Sequence, residues 1–293
     1  MTIYTVHHNT VYRYRRPVKL GQHQMLFRPR DSFDQRLIDC RLLVKPEPVE
    51  IRWIHDVFGN CVTFVDFNTT SDTLEFETTI RLEHTPENAP EFRIEDYARQ
   101  HPFAYDRAEL PDLESYIRRQ FPGDRMVDDW LSRFIAPGQS QPTGQLLMTL
   151  NEAIAEGFSY RSRTSRGTQT PSETLTLQQG TCRDFALLMM EAARSLGFAA
   201  RFITGYIYVL DRDGPVRLGG GSTHAWCSIY VPGSGWVEFD PTNGIMGNRE
   251  LIRVGVARTP DQAIPLSGSY WGDADGEAGM EVTVNVKSEA IER

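Results

Sequence analysis

The sequence predicts an α+β fold: an N-terminal β-sandwich, then a core in which a helix packs on an antiparallel sheet. Three observations carry this. The first 90 residues hold short runs rich in Val, Ile, Thr, Phe and Tyr, separated by turn residues. Two later segments carry apolar residues at helical spacing. Strand-like runs with glycine-rich turns follow the second of them, between residues 199 and 240.

Residues 2–14 alternate, with Ile3, Thr5, His7 and Asn9 on one face and Tyr4, Val6, His8 and Thr10 on the other. Runs at 37–44, 49–55, 61–68 and 73–83 follow, divided by Lys45-Pro-Glu-Pro48, Gly59-Asn60 and residues 69–72. Short strands at this spacing suggest a sandwich over residues 1–90. His7, His8 and His23 have no carboxylate or cysteine at ligand spacing, so a structural role is expected for them. Residues 91–142 read as a helical connector, with pieces at 112–120 and 125–136 between prolines. The core, residues 143–293, opens with a helix at 143–157 striped by Leu146, Leu147, Leu150 and Ile154. Residues 161–173 are polar and aperiodic, as in a loop. The clearest helix is 181–197, striped by Phe185, Leu188, Met189, Ala192 and Leu196 and stopped by Gly197. Strands are expected at 199–210, 223–231 and 235–240, and the tail at 281–287 alternates like an edge strand.

Composition narrows the function. At 40% hydrophobic and 24% charged, the 293 residues describe an ordinary soluble globular protein. A net charge of -8 and a pI near 5.4 give no basic field to draw nucleic acid or anionic membrane. The local arginines at 13, 15 and 16 and at 161, 163 and 166 read as solvated faces. No apolar leader or 18-residue apolar stretch is present, which points away from secretion and from membrane spans. Four cysteines without a CxxC pair suit free thiols in a reducing cytoplasm, with a Cys40–Cys61 disulfide as the alternative. Oligomeric state is not legible.

The chemistry gathers at three residues. Cys182 opens the 181–197 helix, where unpaired N–H groups and the helix dipole favour an anion; the thiolate is the nucleophile. Its own N–H is then placed to meet a developing oxyanion. His224 begins a strand after Leu218-Gly-Gly-Gly-Ser222 and suits a general base that then acts as acid. Asp240 ends the strand Trp236-Val-Glu-Phe-Asp240 and suits the carboxylate that orients the histidine. Alone, each has an ordinary structural use; their joint placement makes a catalytic triad. A turn spanning residues 232–235 would put His224 and Asp240 on opposite faces, so a bulge or wider loop is expected there.

Gly180-Thr-Cys-Arg-Asp-Phe-Ala186, Leu196-Gly-Phe-Ala-Ala-Arg201 with Gly205-Tyr206, His224-Ala-Trp226 and Phe239-Asp-Pro-Thr-Asn-Gly244 resemble the bacterial transglutaminase-like superfamily. Tyr12 to Val18, His23, Pro29-Arg30 and Asp56-Val-Phe-Gly-Asn60 resemble the β-rich region that precedes this core in bacterial members. The resemblance implies a papain-like core and acyl transfer from a peptide or isopeptide amide through a thioester on Cys182. Water as acceptor gives a peptidase or amidase, the expected outcome; an amine gives a transamidase. A catalytically silent scaffold is the third reading. Relatives with a tryptophan oxyanion donor upstream of the cysteine have no counterpart between Trp130 and Cys182. Gln179 is the preferred substitute, with Tyr160 and Gln178 the alternatives, and Trp226 is a candidate pocket wall or core aromatic. Asp184 is expected in the first helical turn, paired with an arginine such as Arg201. Asp211 and Asp213 make a poor calcium loop, so no metal and no cofactor are expected. Residues 211–222 suit a substrate gate.

Overall fold

The computed structural model describes residues 2–86, 93–136, 138–162, 167–209, 218–272 and 277–290. Strands β1 (Thr2–Arg28), β2 (Gln35–Lys45), β3 (Glu50–His55), β4 (Cys61–Asp66) and β5 (Thr70–His84) occupy the N-terminal part. The connector carries β6 (Gln100–His101), α1 (Leu110–Ile117), α2 (Arg125–Leu131) and β7 (Gln141–Pro142), and ends at α3 (Thr143–Gly157). Next come β8 (Ser159–Tyr160), α4 (Pro171–Leu177), β9 (Gln179–Gly180) and α5 (Cys182–Ser195). The chain then forms β10 (Ala200–Ile207), β11 (His224–Val231), β12 (Gly235–Asp240), β13 (Ile245–Met246) and β14 (Leu251–Ala257). It closes with β15 (Leu266–Trp271) and β16 (Glu277–Ala290).

The α+β order is as expected. The β-rich part is a curled seven-stranded antiparallel sheet organised on β1, in the order β2-β5-β1-β4-β3 with β15 and β16 also on β1. β1 continues past Tyr14, where the residues 2–14 reading stopped. Its first half lies between β5 and β16, and its register then shifts beyond Arg13 as it turns to β4 and β15. Tyr4, Val6, His8 and Thr10 are all buried, as their shared face predicts. Residues 266–290, assigned above to the core, belong by strand pairing to this sheet instead. His8 and His23 are buried and serve the packing of the sheet. His8 bonds Tyr206 Oη (2.8 Å) and Thr10 Oγ1 (3.0 Å), and His23 Nδ1 donates to the Gly21 carbonyl (2.9 Å). Cys40 and Cys61 are free thiols.

The core sheet is five-stranded, β13-β12-β11-β10-β14. α5 packs on β10 and β11, and Phe185, Leu188, Met189 and Ala192 join Ala200, Phe202, Cys227 and Ile229 in one apolar core. Arg194 secures the far end of α5. It pairs with Glu191 at 3.0 Å, both fully buried, and donates to the Tyr116, Ala200 and Arg258 carbonyls. β14 is an edge strand whose spare backbone groups need partners. Side-chain amides supply them. Asn60 accepts from Val256 N–H (2.8 Å) and donates to Val256 C=O (2.7 Å); Gln35 does the same for Arg253 (3.1 and 2.9 Å). Asp56 fixes Asn60 by accepting from its backbone and side-chain N–H groups. The Asp56-to-Asn60 motif is therefore a clamp between the two sheets. Asn60→Ala is expected to cost about 2–3 kcal/mol, two buried backbone groups being left unpaired. Chemical denaturation checks this, and an unchanged midpoint contradicts the clamp.

Candidate active site

Cys182 reaches its place through a short built-in path. Thr170-Pro-Ser-Glu173 forms a capping box that starts α4 inside the segment expected to be loop. α4 ends at Gln178, whose left-handed backbone (φ 49°) turns the chain into β9. β9 pairs in parallel with β8, and Arg161 N–H donates to the Gly180 carbonyl at 2.9 Å. Thr181 then caps α5. Its N–H and hydroxyl donate to Asp184 Oδ2 at 2.7 and 2.9 Å, while Gln169 N–H donates to Oδ1 at 2.7 Å. Asp184 is thus a capping carboxylate. Arg201, its expected partner, instead donates to Ser228 Oγ at 2.9 Å. Gly180 is needed for packing rather than substrate approach: a β-carbon there would lie 2.9 Å from Asp184 Cβ and 3.1 Å from Phe185 Cε1. Cys182 is the first residue of α5 and only 7% exposed.

His224 and Asp240 meet without the expected bulge. The β11–β12 ladder runs unbroken from Cys227↔Phe239 to Val231↔Gly235, so the loop is residues 232–234. Gly235, read above as both the end of the turn and the start of the strand, belongs to the strand, which moves the hairpin centre to Gly233. That restores parity, and His224, Trp226 and Asp240 share one face. His224 Nε2–H donates to Asp240 Oδ2 at 2.8 Å, both side chains fully buried. Asn243 Nδ2–H donates to the same oxygen at 2.8 Å, and Thr242 N–H to Oδ1 at 3.0 Å. Burial opposes the Asp240 anion, but the His224 charge and these hydrogen bonds outweigh it and lower its pKa. Burial likewise opposes the His224 cation, yet Asp240 and the adjacent Cys182 side chain raise its pKa to about 10. Among the described residues, Nδ1, the ring nitrogen not used by Asp240, meets no partner within ordinary hydrogen-bond geometry, although the Cys182 side chain bears on the ring. It is the atom left for the sulfur.

Trp226 is fully buried behind the histidine, stacked at 5.8 Å between centroids and 25°, with Nε1–H on Glu238 Oε2 at 2.7 Å. It supports the ring and does not face a substrate. Tyr160 is half-buried close enough to feel the site. Burial first, then the Cys182, Asp240 and Asp184 charges, raise its pKa to about 12. Gln179 sits one strand residue before Gly180, half-buried. Residues missed in the sequence complete the surround. Asn243 lies in the turn motif already noted, and its Oδ1 accepts from Leu218 N–H at 2.8 Å while Nδ2 donates to Leu218 C=O at 3.2 Å. This ties the loop at 218–222 to Asp240. Gly219 (φ +90°) then approaches the ring so closely that a β-carbon would lie 2.4 Å from His224 Nδ1. Gly219→Ala is expected to lower kcat by about tenfold or more through displacement of the ring or loop. A loss of thermal stability should accompany it, since alanine is strained at this φ; steady-state kinetics corrected for the folded fraction, beside a melting curve, tests this. Asp211 and Asp213 lie outside the described residues. Among the described residues no three His, Cys, Asp or Glu side chains converge as metal ligands, and no helix is long and apolar enough to cross a membrane.

The fold and this constellation define a transglutaminase-like protein. Residues 131–241 match the transglutaminase-like superfamily and residues 4–83 the bacterial transglutaminase-like N-terminal region. The chain belongs to the transglutaminase-like superfamily, with the N-terminal region of its bacterial members. It is 27% identical over 293 residues to an uncharacterised protein of Mycobacterium tuberculosis, covering 97% of this chain and 92% of that one. A Mycobacterium leprae protein, also uncharacterised, is 25% identical over 297 residues, covering 95% and 96%. The crystal structure of a candidate cysteine protease from Cytophaga hutchinsonii has the same fold, with a TM-score of 0.70 at 17% identity over 100% of this chain and 91% of that one.

Proposed function

We propose that the protein is a cysteine-nucleophile acyl-transfer enzyme that hydrolyses peptide or isopeptide amides through a thioester on Cys182. One observation carries this: a cysteine at a helix N-terminus beside a buried histidine whose far nitrogen is held by a buried carboxylate. The helix end and the imidazolium both place positive potential at the sulfur. Cys182 Sγ attacks the amide carbonyl, and its proton resides on His224 Nδ1. The oxyanion meets the Cys182 N–H, one of the amides a helix start leaves unpaired, and the Tyr160 phenol. The Cys182 charge acts on the Tyr160 phenol, and this nearness supports Tyr160 as the second donor, with Gln179 the alternative. Collapse of the intermediate breaks the C–N bond as His224 gives the proton to the leaving amine. Water, deprotonated by His224, then cleaves the thioester and restores the thiol. Asp240 keeps the Nε2–H fixed throughout. Free thiols at Cys40, Cys61, Cys182 and Cys227 fit a cytoplasmic setting for this chemistry.

The test is product analysis by mass spectrometry on glutamine- and lysine-bearing peptides, with and without a primary amine. Hydrolysis predicts new carboxylates and free amine or ammonia, with little amine incorporated. Amine incorporation as the main product means a transamidase. Turnover of none of the peptides, together with an unreactive Cys182, means a scaffold.

A further inference from the structure

A cavity of about 920 Å³ lies between the N-terminal sheet and the core sheet, and neither Cys182 nor His224 lines it. Five arginines and three carboxylates do. The carboxylates are already engaged. Arg253 pairs with Asp34 at 3.1 Å and also with Glu238, and Asp31 accepts from Leu37 N–H at 2.6 Å. The remaining guanidinium groups leave the cavity positive. The Glu238 charge acts on Arg201 without an ion pair. Its Nε–H donates to Ser228 Oγ and its guanidinium lies 4.2 Å over the Trp236 ring, but among the described residues it pairs with no carboxylate. Burial first, and then the Arg253 charge, lower its pKa to about 10. Arg30 bears on it from the N-terminal sheet, its Nη1–H on the Phe58 carbonyl at 3.3 Å. A desolvated, unpaired cation is costly unless an anion joins it. An arginine with its terminal N–H groups free is the side chain best shaped to hold a carboxylate or phosphate bidentately. Phe58 and Trp236 offer apolar surface for the rest of such a ligand, and the volume is that of a small-molecule site.

We propose that this cavity binds a small organic anion through its carboxylate or phosphate group, with Arg201 and Arg30 as the recognising residues. The site is separate from the cysteine chemistry and does not depend on it. Isothermal titration calorimetry of the full chain with citrate and, separately, inorganic phosphate tests it. Saturable binding of at least one anion is expected, weakened about tenfold or more in Arg201→Gln and unchanged in Cys182→Ser. The preferred anion tells carboxylate from phosphate recognition. Arg30→Gln is the second variant, since Arg30 is exposed and its loss leaves the fold intact; it too should weaken binding. Binding of both anions weaker than about 1 mM, or equal affinity in wild type and both arginine variants, overturns the proposal.

Discussion

Cys182→Ser is expected to abolish amide cleavage, a loss of at least about 10³-fold in kcat, while the thermal midpoint stays close to wild type. The side chain is small and buried, and a hydroxyl nearly matches its volume, so packing on Phe185 and its neighbours survives. The chemistry does not. A serine hydroxyl is far less acidic than a thiol, so it does not give its proton to His224 to form the ion pair that arms the sulfur. Cys227→Ser is the matched control: it too is buried, 0% exposed, but lies in the α5–sheet core, so activity per folded molecule should persist. Loss of activity in both, or in neither, contradicts the assignment of the nucleophile.

Asp240→Asn should be nearly as severe, about 10³–10⁴-fold in kcat, and should also destabilise. Three donors, His224 Nε2, Asn243 Nδ2 and Thr242 N, converge on two carboxylate oxygens. An amide has one oxygen, so at least one donor then meets an NH₂ group. If that donor is His224, the ring proton moves to Nδ1, where it blocks acceptance of the thiol proton. Removing the counter-charge leaves burial as the dominant influence on His224, so its pKa falls. The stability cost is about 3–5 kcal/mol, typical of breaking a buried pair, and its pH dependence has a definite sign. The raised His224 pKa contributes stability that is full below 6.5 and lost as pH rises through about 10. The lowered Asp240 pKa contributes stability present above 3.8 and lost as pH falls below it. The wild-type advantage should therefore peak between about pH 4 and 6.5 and shrink on either side. Denaturant midpoints across pH 3–10 check this; a constant difference contradicts it.

The three residues of the proposed triad were legible because each sits at an element boundary that sequence marks well: a capping threonine and glycine before α5, a glycine run before β11, and Asp-Pro at the end of β12. Helix α3 was legible to the residue for the same reason, its apolar stripe ending at Gly157. The hairpin register was not. It turns on whether Gly235 belongs to the turn or the strand, and a glycine with positive φ suits either. α4 was hidden because two turns are too short for periodicity, although its Thr-Pro-Ser-Glu capping box was present. The second half of β1 was hidden by Arg13, Arg15, Arg16 and Pro17, which break the alternation where the strand changes partners. β16 is the edge strand its alternation suggests, paired among the described strands with β1 alone; what the pattern could not show was that partner, nearly the whole chain away. The arginine cavity could not be seen at all, since Arg30, Arg201 and Arg253 converge from separate segments across two sheets. The choice of oxyanion donor between Gln179 and Tyr160 was not legible, because the β8–β9 pairing that places both leaves no pattern in two-residue strands.

The central claim is that Cys182 rests beside an imidazolium at a helix N-terminus. Iodoacetamide labelling, read residue by residue by mass spectrometry between pH 5 and 9, tests it most directly. Cys40, whose pKa burial raises, should label slowly and faster with each step in pH. Cys182 should label faster than Cys40 at pH 6, and Asp240→Asn should remove that low-pH reactivity. A Cys182 no more reactive than Cys40 at pH 6, with the same rise toward alkaline pH, would contradict the account.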